Sequence, residues 1–438
     1  MENEGALAST RGRETALACV RAGIDAARPG HVVAESVRLD GDQLHVADAT
    51  YDLTDVDRII AVGGGKAADG VADALETALG DRLSAGAVVT PDPGTGEHIE
   101  RLQGHHPVPS QAGVDGTDRI RELVADADER TLVIAIITGG GSALLPAPAE
   151  DISLDDLQTT TNALLDAGAE IGALNAVRKH LSTLKGGGLA ELAAPATVVS
   201  LAFSDVVGND LSVIASGPTA PDESTFADAL DVLERYDVDP PAAVRERLEA
   251  GAAGDLSETP GPDNPVFDRV TNHILADGFT AIEAAREVAA DRGYDTCVLS
   301  SSVRGEAREA ALTHVAVAEE IGSTANPLDA PAVVLSGGEA TVTVRGDGVG
   351  GPNAEFALAA AIELPESSTL ACVDTDGYDG SSDFAGAVVD GDTVDGARDA
   401  REALGESDAY GYLDGRDAVI ETGATGTNVN DLRVLVVE

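Results

Sequence analysis

Lysine is almost missing from this chain. There are three among 438 residues, within 28 basic residues set against 77 Asp and Glu, for a formal net charge of −49. Positive charge is scarce and comes from arginine. Such a balance repels polyanions, which excludes nucleic acid and anionic membranes as partners. Cysteine is scarce too: Cys19, Cys297 and Cys372 lie far apart with no CxxC. That spacing excludes a disulfide frame and a zinc site, and fits free thiols in a reducing compartment or small core residues. No stretch approaches 18 apolar residues, and MENEGALASTRGRE at the start has no apolar signal-peptide core. A soluble, cytoplasmic protein is expected.

Thermophiles enrich lysine along with glutamate. Excess aspartate with vanishing lysine instead suits solubility in concentrated salt, where screening shortens to about 3 Å at 1 M. A halophilic, salt-accumulating cytoplasm is the expected habitat, and an individual Asp is then expected to be a solvated surface group. Lysines that survive such depletion stand out. Lys66 lies in AVGGGKAADG, and Lys179 and Lys185 lie in RKHLSTLKGGGLA, each beside a glycine run.

What is present is a large apolar fraction, 43% of residues, arranged as short runs between helical patterns. Alternation of this kind predicts an α/β protein with parallel sheets and crossover helices. Strands are expected at 58–62, 85–90, 131–137, 197–203, 296–300, 331–336, 369–373 and 432–437. Helices are expected at ADGVADALETAL, SLDDLQTTTNALLDA, TAIEAAREVAADR and AEFALAAAIEL, the second opened by a capping box from Ser153 to Asp156. From Asp237 to Asn264 the chain turns acidic and proline-rich, so two domains, 1–265 and 266–438, are expected. Glycine clusters follow four of the strands, and open α/β sheets bind ligands at the carboxyl ends of their strands.

In RIIAVGGGKAADG a strand runs through Gly63, Gly64 and Gly65 into a helix, with Lys66 adding a full charge. The segment fits Gly63-x-Gly65-x-x-Ala68, a Rossmann-type fingerprint, without the acidic residue that should close the next strand, and it is not a Walker A motif. A structural turn competes with a phosphate cradle here, and the kept lysine favours the cradle. TLVIAIITGGGSALLPAP places Gly139, Gly140, Gly141 and Ser142 after an apolar run, where N–H groups can wrap an anion. GGGSA is not GxSxG, which disfavours a serine nucleophile.

In LNAVRKHLSTLK, Leu174, Val177, Leu181 and Leu184 form one helical stripe. Asn175, Arg178, Ser182 and Lys185 repeat the spacing one step round, so the predicted helix offers a cationic edge to an anionic ligand. His180 reads as a packing residue. Past the next strand come Ser204, Asp205, Asn209 and the SGPT turn, where Asp205 is a candidate Mg²⁺ ligand. His105 and His106 in HHPVPS make a poor metal signal. In the C-terminal half, VVLSGGEATVTV carries Gly337, Gly338 and Glu339. Pro352 opens a helix with Asn353 behind it, whose N–H groups are expected to meet an anion. CVDTDGYDGSSDF holds Asp374, Asp376, Asp379 and Asp383, read as a catalytic or magnesium cluster without the EF-hand pattern.

Together these segments resemble the class II glycerate kinases, with a C-terminal MOFRL domain, of haloarchaeal type. The matching pieces are GKAA at Lys66, HPVPS, TGGGSALLPAP, NAVRKHLSTLKGG, SDVVGNDLSVIASGPT, LSGGEATVTV, GVGGPNAEFAL, DTDGYDGSSDFAGA and TGTNVNDL, in family order from residue 63 to about 433. The resemblance implies a larger N-terminal Rossmann-like domain, a smaller C-terminal α/β MOFRL domain and an active site in the cleft between them. It implies ATP-dependent phosphorylation of D-glycerate at the 2-hydroxyl, with ATP and Mg²⁺. Lys66 and Asp376 would be catalytic. Lys66 would contact the transferring phosphoryl group, and Asp376 would accept or orient the hydroxyl proton. Arg178 and Lys185 would hold carboxylate or phosphate, and Asp205 or Asp379 would hold Mg²⁺. A homodimer is carried as an expectation. One departure stands out: the family's GGRNQE arginine is replaced here by Pro352, followed by Asn353 and Ala354, and Gly188 stands where KGGRLA is often basic. Two rival readings remain: an NAD(P)-dependent 2-hydroxyacid oxidoreductase, drawing on the glycine fingerprint, and a non-catalytic small-anion binding protein.

Overall fold

Apolar runs between glycines form the strands, as their β-branched content favours, in a computed structural model that describes Met1–Glu438. Contacts divide the chain into Val32–Leu275 and a second unit built from Met1–His31 with Ala276–Glu438. The first 31 residues thus go with the C-terminal part, and the second unit starts at Ala276 where the composition change suggested 266. The acidic, proline-rich stretch contains the helix Ala242–Ala252.

Within Val32–Leu275, β1 (Val37–Asp40), β2 (Gln43–Val46) and β3 (Ala49–Asp52) make a small antiparallel sheet. The main sheet holds β4 (Arg58–Gly64), β5 (Leu83–Thr90), β6 (Ile99–Gln103), β7 (Thr131–Thr138), β8 (Thr197–Phe203) and β9 (Val270–Ala276), in the order β6-β5-β4-β7-β8-β9. Every pairing from β6 to β8 is parallel. All eight residues of β7 are buried, which is why TLVIAIIT shows no polar alternation. The chain runs outward from β4 to β5 and β6, then returns to lay β7 on the other side of β4. That reversal is a topological switch point, where an open α/β sheet leaves a crevice beyond its strand ends. Its two rims are the Gly63–Lys66 and Gly139–Ser142 segments.

The helix Ala68–Leu79, which follows Lys66, is fixed by its acidic face. Arg101, a β6 residue with its side chain 1% exposed, donates from Nε to Asp69 Oδ1 at 3.0 Å and pairs through Nη2 with Asp73 Oδ1 (2.7 Å) and Glu76 Oε2 (3.3 Å). One arginine holding three carboxylates over two turns of helix is a network rather than an isolated surface pair.

The second unit holds β10 (Asp295–Glu306), β11 (Ala332–Thr341), β12 (Ser368–Asp374), β13 (Gly386–Asp390), β14 (Val419–Ile420) and β15 (Asp431–Val437), in the order β10-β11-β15-β12-β13-β14. Only β10 and β11 pair in parallel; the other pairings are antiparallel, so the expectation of parallel sheets throughout is corrected here. The reason is local, since β12 reaches β13 through the loop 375–385, which has no crossover helix to bring the chain back. On one face of this sheet, Val334, Leu370, Cys372 and Leu435 pack with the helices Ala307–Thr324 and Pro352–Ala361. On the other, Thr369 and Leu432 meet Gly12 and Gly23 of the helix Arg11–Ala26.

Candidate active site

The switch point gathers the sequence candidates of the N-terminal unit, but by packing more than by open loops. A Cβ on Gly63 would overlap Ile136 O, and one on Gly65 would overlap Thr138 Oγ1, so these glycines let β4 lie against β7. Their φ values, 149° and 137°, also need glycine. The N–H of Gly65 bonds Val89 O (3.0 Å), that of Lys66 bonds Gly139 O (2.8 Å), and that of Ala67 bonds Thr138 Oγ1 (3.2 Å). At the expected phosphate cradle of Gly63, Gly64 and Gly65, the N–H groups of Gly65, Lys66 and Ala67 are thus bonded within the chain, to Val89 of β5 and to Thr138 and Gly139 at the end of β7. What the segment does present is the half-buried Lys66 side chain.

Around the second loop the candidates converge. A Cβ on Gly140 would stand 3.0 Å from His106 Cδ2 and 3.2 Å from Lys66 Cγ, and one on Gly139 would overlap the Asp205 carboxylate. Lys66, His106 and Asp205 are thus drawn around a loop with no side chains of its own. Gly140, at φ 77°, turns the chain into the one-turn helix Gly141–Leu144. Ser142 Oγ meets Ser216 Oγ, and Ser216 Oγ donates to Asn175 Oδ1 at 2.9 Å. Ser216 is fully buried at φ 62°, between Ala215 at φ 50° and Gly217 at φ 65°. Two successive non-glycine residues in the left-handed region store strain, a feature that clusters at functional sites. Sequence reasoning noted the SGPT turn but not Ser216; the signal was a serine next to a glycine that must turn left-handed.

The basic stretch behaves differently from the single long helix expected. The helix Ile171–His180 stops at His180, because Ser182 Oγ accepts the N–H groups of Leu184 (3.2 Å) and Lys185 (3.3 Å) and competes with helical bonding. The chain then folds back through Gly186 and Gly187, both left-handed. Arg178, Ser182, Lys185 and Ser142 nevertheless line one small cavity, with about 20 Å³ inside, little more than one water needs. Lys185 is buried and donates from Nζ to Leu145 O at 2.9 Å. Burial, with the Arg178 charge adding to it, lowers its ammonium to about 7, and burial lowers Arg178 to about 10. Two cations held in low dielectric without a paired acid favour an anion beside them. Lys179 is engaged elsewhere, its Nζ lying 3.0 Å from Asp222 Oδ1 in a buried ion pair. Burial pushes the Asp222 carboxyl up, but Lys179 and the Ser224 N–H and hydroxyl hold it below the usual carboxylate range. His180 bonds Ala176 O and packs edge-on against Phe226, as a core residue. Ser204 is buried and caps its own turn through the N–H of Val206.

In the second unit the glycines again serve close packing. Gly338, at φ 129°, would carry a Cβ into Val303 O, and Gly337 one 3.0 Å from Asp431 O, while Glu339 points outward. The expected anion site at the start of Pro352–Ala361 is already filled by the chain. Asp379 accepts the N–H of Asn353 (2.8 Å, Oδ1) and of Ala354 (2.7 Å, Oδ2). Asn353 is fully buried and gives its Nδ2 to Asp379 Oδ1 and Asp431 Oδ1. Asn353, read from sequence as a substrate contact, and Asp379, read as a metal ligand, are both used in holding this helix end. No group of three or more His, Cys, Asp or Glu stands in a metal-binding array. Asp376 is half-buried in the turn after β12, where its N–H bonds Asp374 Oδ1 and its own Oδ1 accepts the N–H of Tyr378.

Residues 15–249 match the family model described as a domain of unknown function, DUF4147, and residues 332–431 match the MOFRL family. The D-glycerate 2-kinase of Thermotoga maritima is 39% identical over 87% of this chain and 91% of its own. The chain belongs to the MOFRL-containing glycerate 2-kinase family. The crystal structure of the Thermotoga maritima glycerate kinase superposes with a TM-score of 0.85 at 37% identity, covering 97% of this chain and 99% of that one. A relative from Agrobacterium vitis, provisionally named a hydroxypyruvate reductase, is 39% identical over 87% of each chain.

Proposed function

We propose that this chain transfers the γ-phosphoryl group of ATP to the 2-hydroxyl of D-glycerate, releasing ADP and 2-phosphoglycerate. The observation that carries the reading is that one loop meets three cations: Lys66 lies against it at Gly140, and its Ser142 lines the cavity that Arg178 and Lys185 share. Phosphoryl transfer asks mainly for positioning and for positive charge on phosphate oxygens. Lys66 is the ammonium assigned to the transferring group, and Arg178 with Lys185 are assigned to the glycerate carboxylate. Ser216 and Asn175 position Ser142. As the hydroxyl oxygen attacks phosphorus, its proton passes to Asp376 and the β–γ bridging oxygen leaves with ADP. Mg²⁺ is taken to arrive with ATP as the magnesium complex, and Asp205 is a candidate ligand for it.

The reductase reading loses its main support with the glycine fingerprint, whose N–H groups at Gly65 and Lys66 are bonded to Val89 and Gly139. The small-anion binding reading predicts glycerate binding without ADP release. No helix is long and apolar enough to cross a membrane. The acidic surface supports a halophilic protein of a salt-rich cytoplasm, and a homodimer is its proposed assembly. The deciding assay incubates the protein with ATP, Mg²⁺ and D-glycerate in molar KCl and couples it to enolase without phosphoglycerate mutase. Phosphoenolpyruvate then forms only from 2-phosphoglycerate. Absence of ADP, or an NADH absorbance change with hydroxypyruvate, overturns the proposal.

A further inference from the structure

A second pocket in Val32–Leu275, about 580 Å³, has a lining that includes none of Lys66, Arg178 and Lys185. It lies on the Asn175–Lys179 face of the helix Ile171–His180 and is closed by the segments 209–213 and 220–224 and by Asn272 of β9. Its size is that of a site for a drug-sized ligand, roughly 300–1,000 Å³, and far exceeds what a three-carbon acid needs. Its charge points the same way. The one cation in the wall, Lys179, is already paired with Asp222. The wall also carries the carboxylates of Asp210 and Glu223, which repel a phosphate chain or a carboxylate. What remains is amide, hydroxyl and aliphatic surface, including Ser212, Leu211 and Pro221.

One group in this wall lacks a partner. Asn175 is 3% exposed; its Oδ1 accepts the Ser216 hydroxyl, while its buried Nδ2 bonds nothing. An orphaned buried donor costs about 1–3 kcal/mol unless a ligand or water accepts it. We infer that this pocket takes the nucleoside end of the phosphoryl donor, an uncharged, hydroxyl-bearing ring system, with Asn175 Nδ2 donating to it. The inference rests on the kinase reading. It also explains the geometry between pocket and loop: Asn175 bonds Ser216, Ser216 meets Ser142, and Ser142 adjoins the Gly140 turn that lies against Lys66.

The test uses the full chain and Ser212→Trp, which fills the pocket from a partly exposed wall position. Calorimetric titration with ATP, inorganic triphosphate and D-glycerate separates the contributions. The expected result is at least a tenfold loss of ATP affinity, about the effect of removing one good set of polar contacts. Triphosphate and glycerate affinities should stay unchanged. If Ser212→Trp binds ATP like the parent while the parent still makes ADP, the nucleoside sits elsewhere and the kinase reading survives. If the parent neither binds ATP nor makes ADP, both fall. Should the tryptophan prevent folding, the isosteric Asn175→Asp repeats the measurement by turning the donor into an acceptor, and unchanged ATP affinity there overturns the assignment.

Discussion

At the scale of single residues, the three lysines play different parts although composition alone treats them alike. None is exposed: Lys66 is half-buried, Lys179 and Lys185 buried. Scarcity made all three legible as unusual. It could not show that Lys179 answers Asp222, because the partner lies 43 positions away in sequence and only the fold joins them. Replacing Lys179 by methionine leaves that carboxylate buried and unpaired, with an expected loss of about 3–5 kcal/mol of stability, readable in denaturant melts. Replacing Lys66 by alanine should cut kcat at least ~100-fold while leaving the melt nearly unchanged; a turnover close to the parent's would remove Lys66 from the mechanism. Lys185 predicts a pH effect. Its ammonium sits at about 7, so above that pH the free protein holds it neutral, and an arriving carboxylate restores the charge by drawing in a proton. Glycerate binding at pH 8 should therefore take up protons, seen as a buffer-dependent heat, and KM should climb as pH passes 7. Lys185→Met should abolish both effects.

Elements were legible where one rule governed them. The central strands β4, β7 and β8 are continuous apolar runs, and the capping box from Ser153 to Asp156 forms as the sequence spelled it. Two other elements answered to residues far away. The helix Pro352–Ala361 has its first N–H groups taken by Asp379, a residue in the loop after β12, so a motif that reads as an open anion site is closed from within. The loop after β4 reads as a cradle because glycine permits one, yet here glycine is needed to bring two backbones together. Asp379→Ala should leave two buried donors at the helix start without acceptors, costing at least ~2 kcal/mol. Burial raises the Asp379 carboxyl to about 7, so the charge of this cap is fully present only above that pH. A melting temperature for Asp379→Ala equal to the parent's would show that the N–H groups find other partners.

For the whole molecule, 77 carboxylates against 28 bases make self-repulsion the dominant long-range term. Melting temperature should rise steeply with KCl from ~0.1 M to molar concentrations, as the screening length falls from about 10 Å to about 3 Å. A flat dependence would contradict the halophilic reading. Sheet handedness and order are scarcely written in composition, and the antiparallel pairings of the second unit follow from loop lengths between strands more than from the strands themselves. One feature of that sheet reaches into how the chain is made. β15, residues 431–437, sits between β11 and β12, so a strand that follows both of them in the chain is the one they pair across. Until it emerges, β11 and β12 each present an unpaired edge to their surroundings. A nascent chain paused shortly before Asp431 should therefore bind holdase chaperones through this half, and release should coincide with the emergence of β15.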